Sequence, residues 1–172
     1  MIFDSHAHYE DEKFDSDRIE LLSGMREKGI GTVINVGSTI ETSAKSIALA
    51  EMYEDVYAAI GVHPSEIECL NEKGMEWLRD RSAHPKVAAI GEIGLDYHYE
   101  DVPRAQQRVA FEKQLSLAEE LGLPVIVHER EAHGDAMDIL RAHPKAFGVF
   151  HCFSGSPEMA LWLVERGGDI GF

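Results

Sequence analysis

Cysteine is scarce in this chain of 172 residues, with only Cys69 and Cys152 present. Their spacing matches neither a paired extracellular framework nor a metal-ligand motif, so a reducing compartment is expected and both read as plain buried residues. Long apolar runs are missing as well: nothing approaches the ~20 residues of a membrane span. The opening residues carry Asp4 and His6 where a signal peptide needs an apolar stretch, and the expectation is a soluble, cytoplasmic protein with no membrane partner. Basic residues are also few. Sixteen Lys and Arg against 31 Asp and Glu leave a net charge of −15, which disfavours a broad grip on nucleic acid through many phosphates. It leaves room for an enzyme that holds one or two phosphates through bound cations, which supply positive charge locally. Linkers and low-complexity segments are absent too, so residues 1–172 read as one domain.

Short β-rich runs alternate with amphipathic stretches along the whole length. Seven strands are predicted, starting at Ile2, Thr32, Tyr57, Val87, Pro124, Gly148 and Asp169. Most are continuous apolar runs, as in strands covered on both faces. The stretch 104–122 places Phe111, Leu115, Ala118 and Leu121 on one stripe and stops at Gly122. The stretch 156–167 opens with Ser156 as cap and Pro157 in the first turn. His84-Pro85 and His143-Pro144 mark further helix ends. An open dinucleotide-binding sheet would carry a glycine-rich loop after its first strand, whereas this chain has His6-Ala7-His8 there. The pattern predicts a TIM-type (β/α)₈ barrel. A complete one takes ~250 residues, so the chain is expected to stop inside its seventh strand without the eighth βα unit. An open seventh-strand edge would favour self-association.

His6 and His8, two apart at a strand end, point the same way and can reach one metal ion together. Glu92, His128 and His151 end the fourth, fifth and sixth strands, on the rim where barrel enzymes place their chemistry. Singly, each could be a satisfied core or surface residue. Jointly, one carboxylate and four imidazoles on one rim are costly without cations to bind. His63, Asp96, Arg130 and Ser154 lie on the same predicted rim and are candidate substrate contacts, although Arg130 could equally pair with Glu129 or Glu131 and Ser154 could simply form a turn. His98 and His133 read as exposed loop residues.

The segments Phe3-Asp4-Ser5-His6-Ala7-His8, Gly61-Val62-His63-Pro64, Gly91-Glu92-Ile93-Gly94-Leu95-Asp96-Tyr97, Pro124-Val125-Ile126-Val127-His128 and His151-Cys152-Phe153-Ser154-Gly155 together resemble the TatD-type deoxyribonucleases of the amidohydrolase superfamily. The resemblance implies a two-metal site in which Glu92 bridges the ions and is the catalytic centre, His6 and His8 serve one ion, and His128 and His151 serve the other. An Asp from an eighth strand would complete the first ion. It also implies a hydrolase that cleaves phosphodiester bonds of DNA, trimming strand ends as an exonuclease with water activated by two divalent ions, Zn²⁺, Mn²⁺ or Mg²⁺. Two other readings stay open: an amide, ester or lactone hydrolase using the same chemistry, and an inactive incomplete barrel acting as an interaction protein.

Overall fold

A computed structural model describes residues 1–99 and 101–172. The apolar runs form seven strands, β1 (Ile2–Ala7), β2 (Ile30–Val36), β3 (Val56–Ile60), β4 (Val87–Asp96), β5 (Val125–Arg130), β6 (Gly148–Phe150) and β7 (Asp169–Ile170). All pair in parallel and lie in chain order, with β1 and β7 at the two edges. Parallel neighbours need a crossover, and the six helices α1 (Arg18–Ser23), α2 (Ile40–Met52), α3 (Glu72–Arg81), α4 (Arg104–Leu121), α5 (His133–Ala142) and α6 (Pro157–Glu165) supply one each. The sheet curls into part of a barrel. Four strands separate β1 from β6, yet the ring of His6 on β1 stacks on that of His151 just beyond β6 with centroids 3.9 Å apart.

Local punctuation acts where the sequence places it. Gly122 takes a left-handed conformation, φ 66°, and closes α4, a geometry that costs glycine little. Ser156 accepts a hydrogen bond from the Met159 amide and starts α6 with Pro157 in its first turn. α3 and α5 stop before His84-Pro85 and His143-Pro144. α2 opens with a reciprocal cap between Thr39 and Thr42.

Two expectations need correction. Cys69 is only half-buried and Cys152 is exposed. The first sits in a short 3₁₀ turn, and the second has φ 46° in the turn that leaves β6. His133 is no loop residue: it begins α5, with Nδ1 bonded to Glu129 at 2.7 Å and Nε2 to the Ser154 carbonyl at 3.2 Å. His98 is exposed as expected and pairs with Glu131.

The apolar residues divide into two clusters. The larger joins strands to helices and includes the fully buried Phe111, Leu115 and Leu78. The smaller draws its buried members, Ile34, Val36, Ala59, Ala89 and Ile126, from strands alone. Side chains alternate across a strand, so the two clusters occupy opposite faces of the sheet. His128, two residues beyond Ile126, therefore projects on the face without helices. No helix among the described residues is long and apolar enough to cross a membrane.

One glycine sets the spacing at the site end of this sheet. Gly94 pairs with His128 across β4 and β5, and its φ is 144°. A Cβ there would stand 1.9 Å from the His128 carbonyl oxygen. Gly94→Ala is expected to cost roughly 2 kcal/mol or more through backbone strain and the forced separation of the strands. Urea unfolding measures this, and a loss below about 0.5 kcal/mol, the size of an ordinary surface substitution, would contradict it.

Candidate metal centre

Histidines from four other strand ends converge on the carboxylate of Glu92, which is 95% buried within β4. Its two oxygens face different neighbours. On the Oε2 side, His6 Nε2 lies at 3.6 Å and His8 Nε2 at 3.9 Å. On the Oε1 side, His151 Nε2 lies at 2.7 Å, His128 Nδ1 at 3.1 Å and His63 Nε2 at 4.0 Å. Ligand atoms of His6, Glu92 and His151 all fall within 4.8 Å of one another, as do those of His63, Glu92 and His128. The bulge between Asp4 and Ala7 in β1 is the stretch that carries His6 inward.

The outer ring nitrogens identify the inner ones. His8 Nδ1 donates to the Val36 carbonyl at 2.8 Å, so a neutral ring turns a bare Nε2 lone pair to the centre. His128 Nε2 is bonded to Asp96 Oδ2 at 2.9 Å, which leaves Nδ1 facing Glu92. His63 is built the other way. Its Nδ1 accepts from the Ser65 amide at 3.2 Å, so in the neutral ring Nε2 carries the proton and points it into the cavity. The remaining nitrogen of His6, Nδ1, is buried without a partner among the described residues.

Charge follows burial. Loss of solvent pushes His6 down to about 3 and His63 down to about 4, outweighing the pull of Glu92, so both are neutral at pH 7. Burial alone would raise the Glu92 carboxyl, but hydrogen bonds from His128 and His151 hold it well below the usual range. His8 lies above its ordinary value, chiefly through Glu10. Burial depresses His128, yet the hydrogen bonds and charges of Glu92 and Asp96 more than restore it, and it too lies above its ordinary value.

The other candidates separate. The Asp96 side chain, expected toward substrate, is spent on the His128 ring and the His98 amide. Arg130 stacks over Tyr99 at 5.3 Å; Glu129 is taken by His133 and the Ala132 amide, and Glu131 by His98. Ser154 is exposed, and its carbonyl serves His133. Sequence reading passed over Asn35, which is fully buried. Its amide accepts from the Tyr9 backbone N–H and donates to Glu10 and Ser46, fixing the loop that holds His8. A polar residue inside the apolar run of β2 was the available signal.

A divalent cation fits this donor set. The Nε2 atoms of His6 and His8 lie 3.0 Å apart beside an ionised carboxylate, an arrangement of imidazole and carboxylate donors that suits Zn²⁺ or Mn²⁺. Ligand nitrogens must shed their protons to bind. With His8 and His128 raised above 6.5, proton competition begins above that pH as acid is added. Mn²⁺ affinity is therefore expected to fall about tenfold per pH unit for each proton displaced, starting above pH 6.5. Calorimetric titration between pH 8 and pH 5 reads this directly, and a flat profile would exclude histidine ligation.

The chain has close counterparts among known proteins. A crystal structure of YjjV, a TatD homologue from Escherichia coli, superposes with a TM-score of 0.90 at 35% identity, covering 98% of this chain and 66% of that one. A phosphotriesterase homology protein from Escherichia coli shares the fold, with TM-score 0.69 at 14% identity. Among curated proteins, the uncharacterized metal-dependent hydrolase YabD of Bacillus subtilis is 38% identical over 174 residues, 100% of this chain and 68% of its own length. The 3'-5' ssDNA/RNA exonuclease TatD of Cronobacter sakazakii is 34% identical over 99% of this chain and 65% of its own. The chain thus spans about two thirds of the length of these relatives. The description of TatD related DNases matches residues 3–172, and with the fold and identities above it follows that the chain belongs to the TatD related DNase family.

Proposed function

We propose that this chain forms the metal-binding part of a hydrolase that cleaves phosphodiester bonds of single-stranded nucleic acid from a strand end. The observation that carries the reading is the two-sided environment of Glu92, whose Oε2 faces His6 and His8 and whose Oε1 faces His128 and His151. That geometry supports two ions bridged by the carboxylate. Divalent cations held there would polarise the phosphoryl group and lower the pKa of the attacking water.

The protein's own groups do the rest. Glu92 stays ionised and keeps its charge between the two histidine sets. His63 presents its Nε2 proton to the cavity, where it can donate to a phosphoryl oxygen, and Ser65 keeps that tautomer. The cavity beside the centre, about 550 Å³, is lined by Glu10, Asp11 and Glu12, with Lys45 the one lysine or arginine among the described residues of its lining. Such a wall repels a duplex with its dense phosphates. A single terminal phosphodiester, neutralised by the cations, is what this acidic mouth accepts. The named activity of the Cronobacter relative, 3'-5' ssDNA/RNA exonuclease, agrees in substrate class.

The acidic lining also favours a second reading, hydrolysis of an uncharged ester or amide by the same activated water. Assays on end-labelled single-stranded DNA, on duplex and on a carboxylic ester, each with Mn²⁺ or Mg²⁺, separate the two. Release of terminal nucleotides from single strands is expected, and turnover of the ester alone would replace the nuclease reading. Glu92→Gln is expected to lower any such turnover at least about 100-fold, roughly 2.7 kcal/mol of barrier. Turnover within about twofold of the unmodified chain would remove Glu92 from the mechanism.

A further inference from the structure

α4 carries two glutamines that its packing does not explain. Gln107 and Gln114 are 98% and 99% buried, on the same stripe as Phe111 and Ala118, at positions where an apolar side chain would serve. Each amide clasps both backbone groups of one residue. Gln107 Oε1 accepts from the Asp96 N–H at 2.8 Å, and its Nε2 donates to the Asp96 carbonyl at 2.8 Å and the Val102 carbonyl at 3.0 Å. Gln114 Oε1 accepts from the Val62 N–H at 2.8 Å, and its Nε2 donates to the Val62 carbonyl at 2.9 Å. An amide used in this way replaces a missing strand. β3 pairs with β4 only as far as Ile60 opposite Ile90, whereas β4 continues to Asp96. Among the described residues the backbone of that overhang has no strand on the β3 side, and buried peptide groups must be paired.

Both clasped residues adjoin the centre. Asp96 itself holds the outer nitrogen of His128, and Val62 precedes His63 in the chain. We propose that Gln107 and Gln114 are positioning residues: Gln107 sets the orientation of His128 through Asp96, and Gln114 sets that of His63 through Val62. Seven residues apart, they sit two turns apart on one helix face, about 10.5 Å along the axis. α4 thus fixes the distance between two strand ends on which side chains of the centre depend. A ligand orientated through a carboxylate behind it is sensitive to what holds that carboxylate.

The inference rests on the metal-centre reading, and the test separates the two. Gln107→Met and Gln114→Met preserve length and remove the same kind of buried amide. A purely structural role predicts equal losses of stability and no preference between the histidines. The positioning role predicts that, in the metal-free chain, Gln107→Met displaces the ring nitrogen NMR signals of His128 and leaves those of His63, while Gln114→Met does the reverse. It also predicts at least tenfold weaker Mn²⁺ binding by calorimetry for Gln107→Met. Identical histidine spectra in both variants, or Mn²⁺ affinity of Gln107→Met within twofold of the unmodified chain, would overturn it. Should a methionine variant fail to fold, Gln107→Glu and Gln114→Glu, which keep the acceptor and lose the donor, are read by the same spectra with the same two outcomes. An unmodified chain that binds no Mn²⁺ would remove the metal centre while the ring signals still decide the positioning.

Discussion

A carboxylate buried in a protein interior must be compensated, and here the compensation comes from five imidazoles brought by the ends of different strands. His6 lies on β1 and His8 follows it, His63 lies beyond β3, His128 lies on β5 and His151 follows β6, all within 4.0 Å of an oxygen of Glu92. An ionised group alone in such surroundings would be protonated or expelled. The imidazoles in turn are held apart from bulk water, which keeps His6 and His63 neutral. Each side of the cluster therefore makes the other tenable, and neither survives without the curl that makes the strand ends meet.

That curl depends on close approaches that side chains would forbid. Gly94 lets β4 run against the backbone of His128, and Gly91 lies so near Ile126 that an added Cβ would meet its Cβ at 2.7 Å. Glu92 stands between these two glycines, so the strand is thinnest at the point where its functional side chain emerges. The helices then fix what the sheet leaves loose. Behind the histidines lies a layer of buried polar contacts, from Asn35 to Glu10, from Asp96 to His128 and from Gln114 to Val62. Orientation of the inner ring nitrogens is decided there rather than at the centre.

Net charge takes on a local meaning in this setting. A total of −15 argues against wide contact with a polyanion. The same acidity is concentrated in part at the mouth, where Glu10, Asp11 and Glu12 face the cavity. Cations bound at the centre would be the principal positive charge at that mouth.

Much was legible in the sequence. The positions of all seven strands, the two capped helices and the alternation that makes a parallel curled sheet follow from local chemistry: apolar runs, Ser156, Pro157 and Gly122 act through neighbours a few residues away. The rim positions of His6, His8, Glu92, His128 and His151 also follow from strand ends, which is a one-dimensional property. Other features depended on distance in space. That Asp96 turns to His128 instead of the cavity, that Arg130 stacks on Tyr99 and that His63 turns its Nε2 proton to the cavity are decided by partners 2 to 32 residues away whose placement only packing sets. Gln107 and Gln114 show the boundary most clearly: sequence places them on the buried stripe of a helix, but the overhang of β4 beyond β3 gives their amides something to hold. Periodicity reports which face a residue occupies, whereas the backbone groups waiting opposite it exist only once the sheet has curled.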